Sequence, residues 1–426
     1  MTEQQTTERA VLCALDTGRQ TLSEAEAITA AVSATGWART EAEVSLEELR
    51  ELTRTAGAEV VGTVLQVRPS ADAALYLGTG KIEELKEMVD ADLCDLLIFD
   101  GELSPTQLRN IEKATGARVI DRTTLILDIF AQRARSREGR LQVELAQLQY
   151  RLPRLAGQGT SLSRLGAGIG TRGPGETKLE TDRRVIQRRI KILSDNLEAM
   201  KRARDTARKK RSANSVPTVA IVGYTNAGKS TLLNRLTGSE VLSEDKLFAT
   251  LDPTTRAAEL PDGQQILFTD TVGFINKLPH NLVDAFRSTL EEAGYSDIIL
   301  HVIDASDPQA ELHRKVVYDT LADLGITDKP VITVWNKADL VEEGALFRDF
   351  SADASLKISA KTGEGVDDLY REIAEVLKKS RVYIDEVIPY RDAARVAEIR
   401  RQGQLISEEY EEDGVHVKAY VPRTLR

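Results

Sequence analysis

Along the chain the apolar positions change period several times, and each change marks a candidate element. Residues 1–57 read as a polar, acidic N-terminal extension, with a weak helical pattern in Ala25–Val32 and Val44–Leu52. Glu59-Val-Val-Gly-Thr-Val-Leu-Gln-Val67 then alternates, which predicts a strand. Short apolar runs at Asp95–Asp100 and Arg118–Asp121 predict buried strands, and Lys81–Val89 and Ser104–Thr115 predict helices. Ser104 supplies an N-cap hydroxyl and Pro105 a preset first turn. Strand alternating with helix over residues 58–122 is the pattern of a small α/β domain.

From Thr124 to Leu152 the strand signal stops, and Leu141, Leu145, Leu148 and Leu152 recur at spacings of four, three and four. The same rhythm returns between Glu176 and Arg211 in Ile186, Ile190, Leu193, Leu197 and Met200. Two such stripes pack most simply as an antiparallel helical hairpin, here residues 123–212. Its tip, Gly157–Gly175, holds seven glycines in nineteen residues and carries Arg164 and Arg172. Ser212–Pro217 reads as a linker. Residues 217–380 alternate again, with apolar strands at Val219–Val222, Ile266–Thr269, Ile298–Ile303, Val331–Val334 and Leu356–Ile358. Helical stretches fall at Ser230–Leu236, Leu282–Ala293, Gln309–Leu324 and Val366–Lys378. That is a doubly wound sheet. Residues 381–426 form a small C-terminal α/β domain: a strand at Val382–Ile388, a helix at Tyr390–Arg401, and a hairpin of Leu405–Glu409 with Val415–Val421.

Length and charge add a second layer. With 426 residues, about three domains are expected. The formal net charge of −10 argues, taken whole, against a nucleic-acid partner. The local count reverses this. Residues 131–211 carry 21 Lys+Arg against 8 Asp+Glu, a net of +13, and the remainder is left at −23. The run Lys201–Arg211 could be an ordinary solvated face. A basic excess spanning a whole hairpin with an Arg/Gly-rich tip favours contact with RNA instead. Two cysteines, Cys13 and Cys94, are too few for a disulfide framework, and no apolar run is long enough to span a membrane. With the leaderless start MTEQQTTERA, a cytoplasmic, monomeric protein is the simplest expectation. His280, His301, His313 and His416 show no metal-ligand spacing, so no zinc is expected.

Four motifs carry chemistry. Gly223-Tyr224-Thr225-Asn226-Ala227-Gly228-Lys229-Ser230 follows a buried strand and opens a helix, the context of a phosphate-binding P-loop. Its backbone N–H groups would cradle phosphate, Lys229 would reach the β- and γ-phosphates, and the Ser230 hydroxyl would bind Mg²⁺. Asp270-Thr271-Val272-Gly273 ends the next strand; Asp270 would hold Mg²⁺ through water and the Gly273 N–H would touch the γ-phosphate. Between them, Phe248-Ala249-Thr250-Leu251-Asp252 and the following residues offer Thr250, Thr254 and Thr255 as the threonine that completes the metal shell. Asn336-Lys337-Ala338-Asp339 stands 107 residues after Lys229, where an Asp carboxylate accepts from guanine N1–H and the 2-amino group. Ser359-Ala360-Lys361 would complete the base pocket with a backbone N–H to O6. The order selects GTP over ATP. By contrast, Gly78-Thr-Gly-Lys81 lacks P-loop spacing and reads as a helix start after a glycine turn.

Two positions bear on mechanism. Phe274 stands where Ras-like GTPases place a water-orienting Gln, so intrinsic hydrolysis should be slow and partner-dependent; the plainer reading is that Phe274 packs against the sheet. The Asn226 side chain could hold K⁺ beside the phosphates, or simply hydrogen-bond its own loop.

In wording and order these motifs resemble the translation-factor-related GTPases, and specifically the HflX family of ribosome-associated GTPases. Tyr76-Leu-Gly-Thr-Gly-Lys81 and Arg164–Lys178 resemble it too, so the likeness covers residues 58–426. The resemblance implies an α/β protein built on a P-loop GTPase sheet, with Lys229, Thr250 and Gly273 in catalytic roles and Ser230 and Thr250 on Mg²⁺. It implies that Phe248–Asp252 contact nucleotide, and that the large ribosomal subunit and its rRNA are the partners. It further implies that stalled or stressed 70S ribosomes are split into subunits, with the glycine-rich tip approaching the peptidyl-transferase region. A ribosome-assembly GTPase and a GTP-liganded RNA-binding regulator are the alternatives within reach of these motifs. A small-molecule phosphotransferase is disfavoured by Asn336–Asp339.

Overall fold

The N-terminal sheet begins within the stretch that reads as a polar extension. The computed structural model describes residues 7–18, 40–155, 174–212, 216–238, 247–261, 263–277, 292–342, 344–379 and 381–421. Strand β1 (Arg9–Asp16) and helix α1 (Glu41–Ala56) come first, both inside residues 1–57. β1 has no alternation to betray it, because Val11, Leu12 and Cys13 are buried alike on both faces of the sheet. This corrects the expectation of a mere extension. α1 carries a complete capping box, with Thr40 and Glu43 satisfying each other's backbone N–H groups.

Then follow β2 (Glu59–Val67), α2 (Thr79–Asp90), β3 (Leu96–Phe99), α3 (Pro105–Thr115) and β4 (Arg118–Asp121). The four strands pair in parallel in the order β2-β1-β3-β4. Parallel neighbours need crossover connections, which the helices supply. Val11, Cys13, Leu85, Cys94, Leu97 and Phe99 belong to the core on one face. Gly78 caps α2 without a side-chain bond, so the Gly78–Lys81 segment is indeed a helix start.

Helix α4 (Arg122–Arg133) leads into α5 (Arg137–Leu155) and α6 (Pro174–Ser212). The expected stripes are visible in burial: Leu145 and Leu193 are buried, and Leu141, Leu148, Ile186, Ile190 and Leu197 half-buried. Arg189 bridges the two helices, donating to both carboxylate oxygens of Glu144 at 2.7 and 2.8 Å. The root of the hairpin is pinned by the buried Asp121. Its carboxylate accepts from Leu103 N at 3.2 Å, Thr124 N at 3.0 Å, Thr124 Oγ1 at 2.7 Å and Arg154 Nη2 at 3.3 Å, and also from the Tyr150 hydroxyl. The greater part of the glycine-rich tip, 156–173, and the expected helices at Ala25–Val32 and 282–291 lie outside the described residues.

The nucleotide-type fold is built from β5 (Thr218–Gly223), α7 (Lys229–Thr237), β6 (Thr254–Glu259), β7 (Gln265–Asp270), β8 (Ile298–Asp304), α8 (Ala310–Asp323), β9 (Val331–Asn336), β10 (Ala354–Lys357) and α9 (Val366–Lys379). The sheet runs β10-β9-β8-β5-β7-β6, parallel except for β6, which lies antiparallel on β7. Leu232 and Leu236 of α7 and Leu369 and Ile373 of α9 belong to its core with Val219 and Phe268. Finally β11 (Val382–Ile388), α10 (Ala393–Gln402), β12 (Gln404–Glu411) and β13 (Gly414–Val421) make an antiparallel sheet of order β11-β13-β12, packed through Ile384, Val417 and Ala419 on Val396 and Ile399.

Two compact units result. One comprises Met1–Ala199 with Lys246–Phe248 and Asn276–Phe286; the other comprises Met200–Asp245, Ala249–Ile275 and Arg287–Arg426. Among the described residues no helix is long and apolar enough to cross a membrane.

Candidate nucleotide site

The site is assembled at the carboxyl ends of the parallel strands in the second unit, where a doubly wound sheet leaves a crevice. β5 delivers the P-loop and α7 begins at its Lys229. Gly228, at φ +91°, leaves room for no side chain: a Cβ there would collide with Asn336 Nδ2. Lys229 is buried and donates to Tyr224 O at 2.7 Å. Burial lowers its pKa to about 8, against the opposing pull of Asp270. The protein thus holds a desolvated cation behind the loop, which an anionic phosphate would re-stabilise. Asn226 stands exposed at the crown of the loop with φ +60°.

Three oxygens converge beside Lys229. Ser230 Oγ donates to Asp270 Oδ2 at 2.7 Å and lies 2.8 Å from Thr250 Oγ1. Asp270 is fully buried, its carboxyl pushed upward by desolvation, with Lys229 opposing. Its other oxygen, Oδ1, has no hydrogen-bond partner among the described residues. Two hydroxyls and a half-satisfied carboxylate suit a small hard cation such as Mg²⁺, which takes one or two protein oxygens and keeps waters. Of the three candidate threonines, the fold brings only Thr250 here. Thr254 and Thr255 open β6, where Thr255 Oγ1 pairs with Thr269 Oγ1 at 2.9 Å on the ladder. The ring of Phe248 is buried in the first unit, edge-on to Phe130 with centroids 4.6 Å apart.

The segment after Asp270 is stitched to the P-loop. Thr225 N donates to Phe274 O at 2.8 Å and Phe274 N to Gly223 O at 3.1 Å, while Thr271 Oγ1 donates to Ile221 O at 2.8 Å. Gly273 is therefore held close: a Cβ there would lie 2.8 Å from Thr225 Cγ2 and 3.0 Å from Lys229 Nζ. The Phe274 side chain is buried, in agreement with the plainer packing reading.

At the other end, Asn336 is a strut. Its Nδ2 donates to Ala227 O at 2.8 Å and its Oδ1 accepts from Ala360 N at 2.9 Å, so one amide joins the phosphate loop to the base loop. Lys337, at φ +62°, pairs with Asp304 at 2.6 Å. The exposed Asp339 carboxylate accepts from Ser359 Oγ at 2.7 Å, which holds its pKa below the usual range and turns its remaining lone pairs outward. Ala338 N is tied to Ile358 O at 3.0 Å. Lys229, Ser230, Thr250, Asp270, Gly273, Asn336, Asp339 and Ser359 thus fall on one crevice of the second unit, whereas Phe248 lies in the first unit and Thr254 and Thr255 on β6. Sequence reasoning missed Asp304 and Arg235, the latter bonded to Ala360 O at 3.1 Å; an isolated Asp or a helix-surface Arg sends no signal.

Known proteins resemble this chain over most of its length. Residues 43–131 match the family model "GTP-binding GTPase N-terminal", 133–211 "GTP-binding GTPase Middle Region" and 218–337 "50S ribosome-binding GTPase". The GTPase HflX of Lacrimispora saccharolytica is 57% identical over 385 residues, covering 90% of this chain and 91% of that protein. The GTPase HflX of Escherichia coli is 44% identical over 335 residues, covering 78% and 79%. A solved GTP-binding protein from Sulfolobus solfataricus in complex with GDP shares 25% identity at a TM-score of 0.45, covering 88% of this chain and 99% of its own.

Proposed function

The chain belongs to the HflX family of GTPases, and from that premise we propose that it binds the large ribosomal subunit in a GTP-dependent manner and splits stalled 70S ribosomes. The observation that carries the reading is the pairing, in one chain, of a P-loop GTPase fold with a basic helical arm. Arg183, Arg184, Arg188 and Lys191 of α6 all face solvent, available to rRNA phosphates. The matched model's description, a 50S ribosome-binding GTPase, supports the same partner.

In this reading Lys229 neutralises the β- and γ-phosphates, and the N–H of Gly273 meets the γ-phosphate. Ser230 and Thr250 would hold Mg²⁺, with Asp270 acting on it through water, and the ion would supply positive charge to offset that of the phosphates. Asp339 reads the guanine edge. Phe274 offers no hydrogen-bonding group to a water, so intrinsic hydrolysis is slow and the ribosome supplies what is missing. Asn226 is a candidate K⁺ ligand, and GTP turnover that is equal in potassium and sodium buffers would remove that role.

The test is cosedimentation with large subunits. Binding should be tighter with a non-hydrolysable GTP analogue than with GDP, and equal recovery in both would sink the proposal. Light scattering of intact 70S ribosomes then separates splitting, seen as a fall on adding protein and GTP, from a role in assembly.

A further inference from the structure

We infer that Arg235 aims the guanine-reading loop, and that the donor it aims at the base O6 is the Lys361 N–H. Arg235 lies outside every nucleotide motif, on the exposed side of α7. Its guanidinium nonetheless turns onto the loop after β10, with Nε donating to Ala360 O at 3.1 Å and Nη2 donating to Lys361 O. Gly363, at φ +94°, passes alongside, where a Cβ would sit 3.6 Å from the Arg235 Cζ.

The consequence follows from peptide planarity. In a trans peptide the C=O of one residue and the N–H of the next point in opposite directions within one plane. Holding the Ala360 carbonyl therefore fixes the direction of the Lys361 N–H, away from Arg235. The neighbouring Ala360 N–H is already engaged by Asn336 Oδ1 at 2.9 Å. The Lys361 N–H makes no hydrogen bond among the described residues. On the far side Ser359 Oγ is turned to Asp339, at 2.7 Å, and accepts from Thr362 N at 3.1 Å. The loop is thus clamped at both carbonyls on one side while its remaining donor faces the base. A backbone N–H favours the carbonyl O6 of guanine over the amino group of adenine, so the clamp serves affinity and base choice together. A planar fork holds two successive carbonyls at fixed angles, which the single nitrogen of lysine does only in part.

This rests on Asp339 and Ser359–Lys361 forming the base pocket, and the experiment separates the two claims. The probe is GDP carrying a fluorescent ribose tag, with dissociation followed by stopped flow on the full chain. Arg235→Ala should release it about tenfold faster, the loss expected for one or two hydrogen bonds to a charged group. It should also raise the KM for GTP without a matching fall in kcat, and narrow the preference for GTP over ATP. Arg235→Lys, which keeps charge and stem but not the fork, should release it at an intermediate rate and serves if the alanine variant does not fold. Asp339→Asn is the control: its amide donates to the 2-oxo group of xanthine, so preference should turn from GTP to XTP. If Asp339→Asn leaves the GTP preference intact, the base pocket itself is misassigned. If it switches preference while both Arg235 variants release GDP at the wild-type rate, or lose kcat at unchanged KM, the role of Arg235 is overturned.

Discussion

Lys229 illustrates how a single desolvated group makes nucleotide binding sensitive to pH. Its ammonium is buried, with a pKa of about 8 in the free protein, and bound phosphates favour the charged form and raise that value. Binding at alkaline pH must therefore take up a proton. GTP affinity should be independent of pH through this group below pH 7, where its contribution is fully present, and weaken above its free pKa, approaching about tenfold per pH unit. Titration calorimetry between pH 7 and 9 checks the slope, and Lys229→Arg, charged throughout, should flatten it. The residues of this crevice were unequally legible. Lys229, Ser230 and Asp339 sit in short motifs whose spacing already states their chemistry. The strut Asn336 and the clamp Arg235 act on partners 109 and 125 residues away, so only the folded chain reveals what they do.

Elements were legible in proportion to how one-sided their burial is. The hairpin stripes and the amphipathic helices declare a period. β1 does not, since a central parallel strand is apolar on both faces and sits inside an acidic stretch. β6 was hidden for another reason: Thr254–Glu259 is an exposed edge strand whose side chains bury little, and its first two threonines read as a nucleotide-gated segment. At this scale the hub is Asp121, fully buried between the end of β4, α4 and the hairpin helix α5. Replacing it with Ala strands the Tyr150 hydroxyl and the Arg154 guanidinium together. Asp121→Ala should cost about 3 kcal/mol, as expected when one partner of a buried charged pair is removed. A lowered urea midpoint, with GTP affinity retained under native conditions, is the expected result; an unchanged midpoint would show that the root of the hairpin is held elsewhere.

For the molecule as a whole the decisive number is not its charge of −10 but its division, +13 within residues 131–211 and −23 in the rest. Ribosome affinity should accordingly fall log-linearly with salt, each displaced phosphate contact adding about 0.7–0.9 to the slope. Changing Arg183, Arg184 and Arg188 together to Glu should flatten that slope and abolish cosedimentation while GTP binding persists. A slope unchanged by the triple variant would move the RNA contact off this helix. The burial of the chain's only thiols offers a different kind of handle. Both Cys13 and Cys94 lie in the core of the N-terminal sheet, and desolvation holds both away from the reactive thiolate. Alkylating reagents therefore reach sulfur only when that sheet opens. The rate of thiol labelling is a clock on one unit alone, readable while nucleotide or ribosome is bound to the protein.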